Sequence, residues 1–170
     1  MSRIYLLRHA MPVLDETVPS ADWPLSAQGR TAAQAIGRAL PRDGIRLTSP
    51  EPKARETLAL ACPGPAMVDA RLGEVCRPPE PIGDGHRAVR RDWVAGRLDQ
   101  RHRGWESPSH AASRFAAAIA EHRSDTMVVA THGMVLTAWL VSIGHVEGGQ
   151  PAARFWEAMA LPDVVVVDLG

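Results

Sequence analysis

The chain has 170 residues with 19 basic and 19 acidic side chains, so its formal net charge at pH 7 is zero. This balance provides no general attraction to nucleic acid or to an anionic membrane. The two cysteines, Cys62 and Cys76, lack metal-type spacing and argue against a zinc ribbon or a disulfide scaffold. No secretory leader and no run long enough to span a bilayer is visible, so we expect a cytoplasmic protein with a single domain over residues 1–170.

The first half of the chain alternates predicted strands with predicted helices. Ser26 is a typical N-cap for the first helix, and Pro41 ends that helix. Pro52 suits the first turn of the second helix, which we expect to run to Ala61. The predicted strands of this half cover residues 4–7, 46–49 and 66–68.

The second half continues this alternation after an irregular segment. Ser107 and Pro108 are a cap and first residue for a further helix. The other predicted elements are a short helix over residues 86–96, a strand over 127–131, a helix over 133–143 and two late strands over 154–161 and 164–169. The late strands are joined too tightly for a helical crossover, so we expect an antiparallel pair. Together these elements predict a three-layer α/β/α sandwich whose sheet is mostly parallel with an antiparallel edge.

Two predicted strands each end in a histidine, His9 and His132. In a parallel sheet the carboxyl ends of the strands form the edge where ligands bind. Arg8 precedes the first histidine and offers planar donors that match phosphate oxygens. His132 stands before Gly133 at a predicted helix start, where backbone N–H groups attract anions. We interpret these residues as a phosphoryl-transfer site with His9 as nucleophile, the alternative being structural histidines at strand ends.

Five segments, in this order, resemble motifs of the histidine phosphatase superfamily, whose fold is phosphoglycerate mutase-like. The segments are residues 6–10 (similar to L-x-R-H-G), 25–29 (L-[ST]-x-x-G), 49–57 (S-x-x-x-R-A-x-x-T), 72–74 (L-x-E) and 131–133 ([ST]-H-G). Each motif is short, but the five together extend over most of the chain. The resemblance therefore implies both the fold and a phosphatase-type activity.

The resemblance also implies a role for each site residue. His9 is the residue that becomes phosphorylated, and Arg8 and His132 bind the phosphoryl oxygens. Glu74 protonates the leaving group and then activates water, which requires a raised pKa that we expect from partial burial. Lys53 stands at the family's second arginine position and completes the phosphate-binding set. The implied partner is a small phosphorylated substrate or inorganic phosphate, with no metal and no cofactor.

The chain departs from the family pattern at two positions. Lys53 is its single lysine among eighteen arginines, and an ammonium group lacks the planar fork that grips two phosphate oxygens. Ala10 replaces the glycine of the first motif, which is tolerated if the position needs a small side chain rather than a positive φ, as we expect.

Several functions remain open at this stage. A phosphomonoesterase is the leading hypothesis, and a protein phosphohistidine phosphatase is the main alternative. Small relatives of the second kind tend to lack the acid glutamate, so Glu74 favours phosphate esters. A non-catalytic phosphate-binding relative is a third possibility. The arginine-rich segment over residues 86–103 is interpreted either as a solvated helix or as a lid that steers an anionic substrate.

Overall fold

The structure, a computed structural model, describes residues 1–79 and 83–170. In this part of the chain, five strands form one sheet in the order β3-β2-β4-β1-β5. The strands are β1 (Ser2–Arg8), β2 (Ile45–Thr48), β3 (Met67–Val68), β4 (Thr126–Thr131) and β5 (Asp163–Leu169). The helices are α1 (Ala27–Ile36), α2 (Pro52–Ala61), α3 (Asp84–Val94), α4 (Pro108–Glu121), α5 (Gly133–Ser142) and α6 (Gln150–Ala158).

Strand β1 lies between a parallel and an antiparallel neighbour. It pairs in parallel with β4, and this register places Arg8 opposite Thr131. On its other side it pairs antiparallel with β5, where Arg8 lies opposite Asp163. Strands β2 and β3 extend the sheet in parallel beyond β4. The predicted parallel sheet with an antiparallel edge is therefore confirmed.

The alternation of side chains along β1 builds a layer on each side of the sheet. Ile4 and Leu6 point to one face and join a core that includes Phe115 of α4 and Trp139 of α5. Leu7 points to the opposite face, where it joins a core built from Ile36 of α1, Leu40 just after that helix, and Ala54, Leu58 and Ala61 of α2. Each face of the sheet is thus covered by helices, which gives the predicted three-layer arrangement.

The predicted helix starts are confirmed by their caps. The Ser26 side chain accepts a hydrogen bond from the Gly29 N–H, and the Ser107 side chain accepts one from the His110 N–H. Helix α2 has the predicted bounds, with proline in its first turn. Among the helices of the described residues, none is long and apolar enough to cross a membrane.

The prediction of a strand over residues 154–161 is wrong, since Gln150–Ala158 form helix α6. A proline lies in the first turn of this helix, where it is well tolerated. The buried side chains of Ala152, Ala153 and Trp156 recur at helical spacing and face the core. Strand β5 consequently pairs with β1 rather than with a neighbouring hairpin strand. The prediction of an antiparallel strand at the edge of the sheet is confirmed, but the predicted partner of this strand, residues 154–161, is wrong.

The first turn of α1 holds the chain that follows the first motif. The N–H and the hydroxyl of Ser26 both donate to the carbonyl of Met11, each at 3.0 Å. A Cβ built on Gly29 would lie 2.1 Å from the same carbonyl oxygen. The glycine at this position is therefore required because the backbone of the loop runs directly over it.

We expect Gly29→Ala to lower the free energy of unfolding by about 2 to 3 kcal/mol, because the added methyl group pushes α1 away from the loop at Met11. Gly85→Ala in α3 is the matched control, since no atom lies within 4 Å of a Cβ built there. This control should be neutral or more stable by up to about 1 kcal/mol, given the helix propensity of alanine. Urea unfolding of the two variants and the wild type measures both effects. Equal stability of all three proteins would contradict the close contact.

Candidate active site

The carboxyl ends of three adjacent strands bring three polar residues to one edge of the sheet. His9 follows β1, His132 follows β4 and Ser49 follows β2. The strand pairing continues past the strand ends, because the His9 N–H donates to the Thr131 carbonyl at 3.1 Å and the Ser49 N–H to the Ala130 carbonyl at 3.0 Å. The rings of His9 and His132 lie with centroids 5.2 Å apart, so the two histidines predicted to act together do meet.

His9 is held in a defined tautomer. Its Nδ1 lies 2.8 Å from the carbonyl oxygen of Ala10, which can only accept a hydrogen bond. Nδ1 therefore carries the proton, and the lone pair of the neutral ring is on Nε2. Burial, followed by the neighbouring charges of His132, Lys53 and Arg8, lowers the pKa of His9 to about 3. His9 is thus a neutral imidazole near pH 7 with Nε2 as its nucleophilic atom.

The alanine in the first motif fits without strain. No residue other than glycine has a positive φ in the described part of the chain, so Ala10 has an ordinary backbone conformation. Its side chain is fully buried against Leu25 and Ala33. Its N–H donates to the Thr57 hydroxyl at 2.9 Å. The expectation that this position needs a small side chain rather than a positive φ is confirmed.

His132 is buried with one ring nitrogen engaged and the other without a partner. Nε2 lies 2.8 Å from the hydroxyl of Ser49 and 3.3 Å from Oε1 of Glu51. Burial is the main cause that lowers the pKa of His132 to about 3, although the carboxylate of Glu74 opposes it. The ring is therefore neutral in the free protein, and a bound anion would favour its protonation.

Arg8 lies beside the start of α5. Its Nη1 donates to the carbonyl of Met159 at 2.7 Å, and a Cβ built on Gly133 would be 3.0 Å from its Nε. Burial lowers the pKa of Arg8, and the charge of Arg87 acts in the same direction. Within the described residues, Arg8 Nε and His132 Nδ1 are the buried side-chain nitrogen or oxygen atoms that have no hydrogen-bond partner. They belong to the two side chains that the sequence assigned to phosphate binding.

Lys53 is buried near the two histidines, but its ammonium group is already engaged. Its Nζ donates to Oε2 of Glu51 at 2.5 Å and to the carbonyl of Ser20 at 2.5 Å. The charge of Lys53 lowers the pKa of both His9 and His132, which shows that it acts on the same site. The neighbouring Arg55 is exposed, since a separation of two residues on a helix turns its side chain away from that of Lys53.

The carboxylate of Glu74 lies against the first turn of α5. Oε1 accepts from the N–H groups of Val75 and Val135, each at 3.0 Å, and Oε2 accepts from that of Met134 at 3.3 Å. Burial favours the neutral acid, but His132, which is protonated in the pH range where Glu74 titrates, acts with nearby Arg77 and these N–H groups to outweigh it and lower the pKa of Glu74 to about 2. The expected raised pKa is therefore wrong for the free protein, because the charges of His132 and Arg77, together with the N–H groups of Val75 and of the start of α5, stabilise the ionised form.

Sequence reasoning missed two residues that organise the site. Glu51 contacts Lys53, His132 and the Glu74 N–H, and its proximity in sequence to the chain's single lysine was the available signal. Arg114 of α4 forms a two-pronged ion pair with Glu106. The same guanidinium donates to the carbonyls of Arg71, Gly73 and Glu74. It therefore holds the loop that carries Glu74, at a separation along the chain that no local motif reveals.

The arginine-rich segment over residues 86–103 forms surface ion pairs. Arg97 and Arg101 bind Asp92 at 2.6 and 2.8 Å, which favours the interpretation as a solvated charged surface. Arg87 differs, since its guanidinium lies 5.5 Å from the ring of Trp156 and its charge acts on Arg8. No group of three or more potential metal ligands occurs in residues 1–79 and 83–170.

Comparisons with known proteins bear on the family and the fold. A family model described as the histidine phosphatase superfamily, branch 1, matches residues 4–162. Among curated proteins, no sequence matches the chain. The structure of a mycobacterial glucosyl-3-phosphoglycerate phosphatase is similar, with a TM-score of 0.71 and 21% identity over 99% of this chain and 90% of that protein. The structure of its complex with VO3 is similar as well, with a TM-score of 0.68 and 22% identity over 99% of this chain and 93% of that protein.

A further similar structure is that of Bacillus stearothermophilus YhfR. Its TM-score is 0.69 at 21% identity, over 100% of this chain and 92% of that protein. At these identities the structural matches establish a shared fold, which is the one that the sequence motifs predicted.

The position of Glu74 makes a prediction about stability and pH. Because its pKa falls from 4.5 to about 2 in the folded protein, the carboxylate stabilises the fold above pH 4.5, and this contribution is lost as the pH falls towards 2. We expect Glu74→Gln to lower the free energy of unfolding at pH 7 by about 2 kcal/mol, with a difference from wild type that shrinks below pH 4.5.

Urea unfolding at a series of pH values between 7 and 3 measures this difference. Glu56→Gln is the control, since its carboxylate forms an exposed pair with Arg30 that contributes less than about 1 kcal/mol. A difference between Glu74→Gln and wild type that stays constant over this range would contradict the lowered pKa.

Proposed function

Because the chain belongs to the histidine phosphatase superfamily, we propose that it is a phosphomonoesterase that works through a covalent phosphohistidine on His9, as a single catalytic domain over residues 1–170. One observation carries this proposal. The neutral ring of His9 lies beside two buried nitrogen atoms without protein partners, Arg8 Nε and His132 Nδ1. This arrangement is suited to a nucleophile facing a phosphoryl group whose oxygens need hydrogen bonds.

In the first step, the Nε2 lone pair of His9 attacks phosphorus while the bond from phosphorus to the ester oxygen breaks. The hydrogen bond from Nδ1 to the Ala10 carbonyl orients the ring and stabilises the positive charge that develops on it. Arg8 Nε donates to a phosphoryl oxygen. His132 takes up a proton when the anion binds, and Nδ1 then becomes a second donor.

In both steps Glu74 exchanges a proton. A phosphoryl group close to this carboxylate adds negative charge, which raises the pKa of Glu74 above its value in the free protein. The protonated acid then gives its proton to the leaving oxygen. In the second step the carboxylate takes a proton from water, which attacks phosphorus as the phosphorus–nitrogen bond to His9 breaks, and inorganic phosphate leaves.

A small phosphorylated molecule is the proposed substrate class. The name of one structural neighbour, glucosyl-3-phosphoglycerate phosphatase, specifies a phosphate ester for that protein. Its complex with VO3 supports a pocket that accepts phosphate-like anions in this fold. We carry over to this chain the phosphate-ester class and leave the leaving group open.

A second candidate function is favoured by the ionised state of Glu74. An imidazole leaving group needs less help from an acid than an alcohol does, so a carboxylate with a pKa of about 2 suits the hydrolysis of phosphohistidine on a protein partner. The leading proposal requires the bound phosphoryl group to raise this pKa, whereas the second candidate does not.

We expect His9→Ala to reduce the hydrolysis of p-nitrophenyl phosphate at least about a thousandfold, because the nucleophile is removed. Brief incubation of the wild type with a radiolabelled phosphate ester, followed by denaturation, should leave an acid-labile label that the variant lacks. His145→Ala is the control, since this histidine is exposed and follows α5 at the far end from the site. Turnover that survives in His9→Ala would refute the proposal.

The two candidate functions differ in their response to Glu74→Gln. For a phosphomonoesterase, the variant should lose at least about a hundredfold in kcat for an alkyl phosphate, whose leaving oxygen needs a proton. Phosphorylation of His9 by a phosphohistidine peptide, measured by rapid quench, should stay within a few-fold of wild type, because this first step expels an imidazole, whereas the attack of water on the phosphoenzyme is slowed for every substrate. If wild type hydrolyses the peptide but has negligible activity on alkyl and aryl phosphates, the second candidate is favoured. Steady-state kinetics on the three substrates, with Glu56→Gln as control, separates these cases.

A further inference from the structure

Glu51 introduces a second carboxylate next to the proposed phosphate pocket. Its side chain is 13% exposed. Oε2 accepts from Lys53 Nζ at 2.5 Å, and Oε1 accepts from the Glu74 N–H at 2.9 Å. Oε1 also lies 3.3 Å from His132 Nε2. A single carboxylate therefore contacts three of the residues assigned to catalysis or phosphate binding.

The consequence is that the lysine charge is cancelled within the protein. Arg8 and Lys53 are the cations of the inner site, Glu51 and Glu74 are its anions, and both histidines are neutral in the free state. The inner site thus has no net charge before an anion binds. Further charged groups act on it from the surrounding elements, and these are Arg77, Arg87, Arg114 with its partner Glu106, and Asp163.

We infer that Glu51 is a specificity-determining residue that makes the pocket select a phosphoryl group bearing a proton over a fully ionised dianion. This inference rests on the proposed function, because it concerns the same phosphate pocket. Once His132 is protonated, a dianion placed beside Glu51 and Glu74 still leaves one uncompensated negative charge in a buried site, which is costly. A monoanion removes this excess, and its O–H group can donate to a carboxylate oxygen, which only accepts.

Phosphate and sulfate distinguish these two kinds of anion. A phosphate monoester has a second pKa near 6 and can carry a proton around neutral pH, whereas sulfate stays a dianion throughout this range. If the proton that accompanies binding were taken up by His132 alone, sulfate would bind as well as phosphate. A preference for phosphate therefore reports protonation of the anion itself.

The test is isothermal titration calorimetry with inorganic phosphate and with sodium sulfate at pH 6 and pH 8. The wild type should bind phosphate at least about tenfold tighter than sulfate at pH 6, and its affinity for phosphate should fall at pH 8. Glu51→Gln should bind sulfate about tenfold tighter than wild type, because one negative charge is removed and Lys53 becomes available to the anion. It should also retain its phosphate affinity at pH 8. Glu56→Gln, with the same change of charge on the outer side of α2, should behave like wild type.

Two results would overturn the inference while leaving the proposed function intact. Unchanged affinities in Glu51→Gln would show that its charge does not act on the anion. Loss of both anions in a variant with the unfolding midpoint of wild type would show that Glu51 serves to hold His132 and Lys53 in place.

A measurement on the wild type covers the case in which Glu51→Gln does not fold. At pH 8, in two buffers of different ionisation enthalpy, phosphate binding should take up about one proton more than sulfate binding, which reports His132 alone, and equal proton uptake with the two anions would overturn the inference. Wild-type protein that binds neither anion at either pH would instead overturn the proposed function.

Discussion

The parallel pairing of β1 with β4 is the constraint on which the site depends. It aligns Arg8 with Thr131, so the two strands end together and the residues that follow them are neighbours. The hydrogen bond from the His9 N–H to the Thr131 carbonyl extends this alignment past the strand ends. A slip of one residue would turn one histidine towards the opposite face of the sheet, because side chains alternate along a strand. The distance of 5.2 Å between the ring centroids is thus a consequence of register.

The site also contains buried charges whose cost the surrounding backbone offsets. Glu74 is ionised although it is buried, since the N–H groups at the start of α5 and of Val75 donate to it. Arg114 holds the loop beneath it through three carbonyls, and Glu106 neutralises Arg114 in turn. Stability and the proposed chemistry therefore share the same groups. The carboxylate that caps the helix is also the group proposed to move a proton.

The third motif segment, residues 49–57, shows how a family pattern can be kept while its electrostatics change. Ser49 and Thr57 retain their places, where Ser49 contacts the ring of His132 and Thr57 accepts the N–H of Ala10. Between them Lys53 has replaced an arginine, and Glu51 binds the ammonium group. The pair keeps a buried cation in place, but it leaves less positive charge for an anion. In this chain the two positions are best understood as a unit.

Local patterns in the sequence were sufficient for those features that depend on neighbouring residues. Apolar runs that lead directly into His9 and His132 located the two histidines that meet at the edge of the sheet, and serine caps and prolines set the starts of α1, α2 and α4. The helix over residues 150–158 had a local signal too, in its initial proline and the helical spacing of its buried residues, but the strand prediction overlooked it. The tertiary structure alone decided the contacts of Glu51 and the lowered pKa of Glu74. These features arise from burial and from groups far apart in the chain, such as Glu74 and Arg114, and such contacts leave no periodic or spaced signal along the sequence.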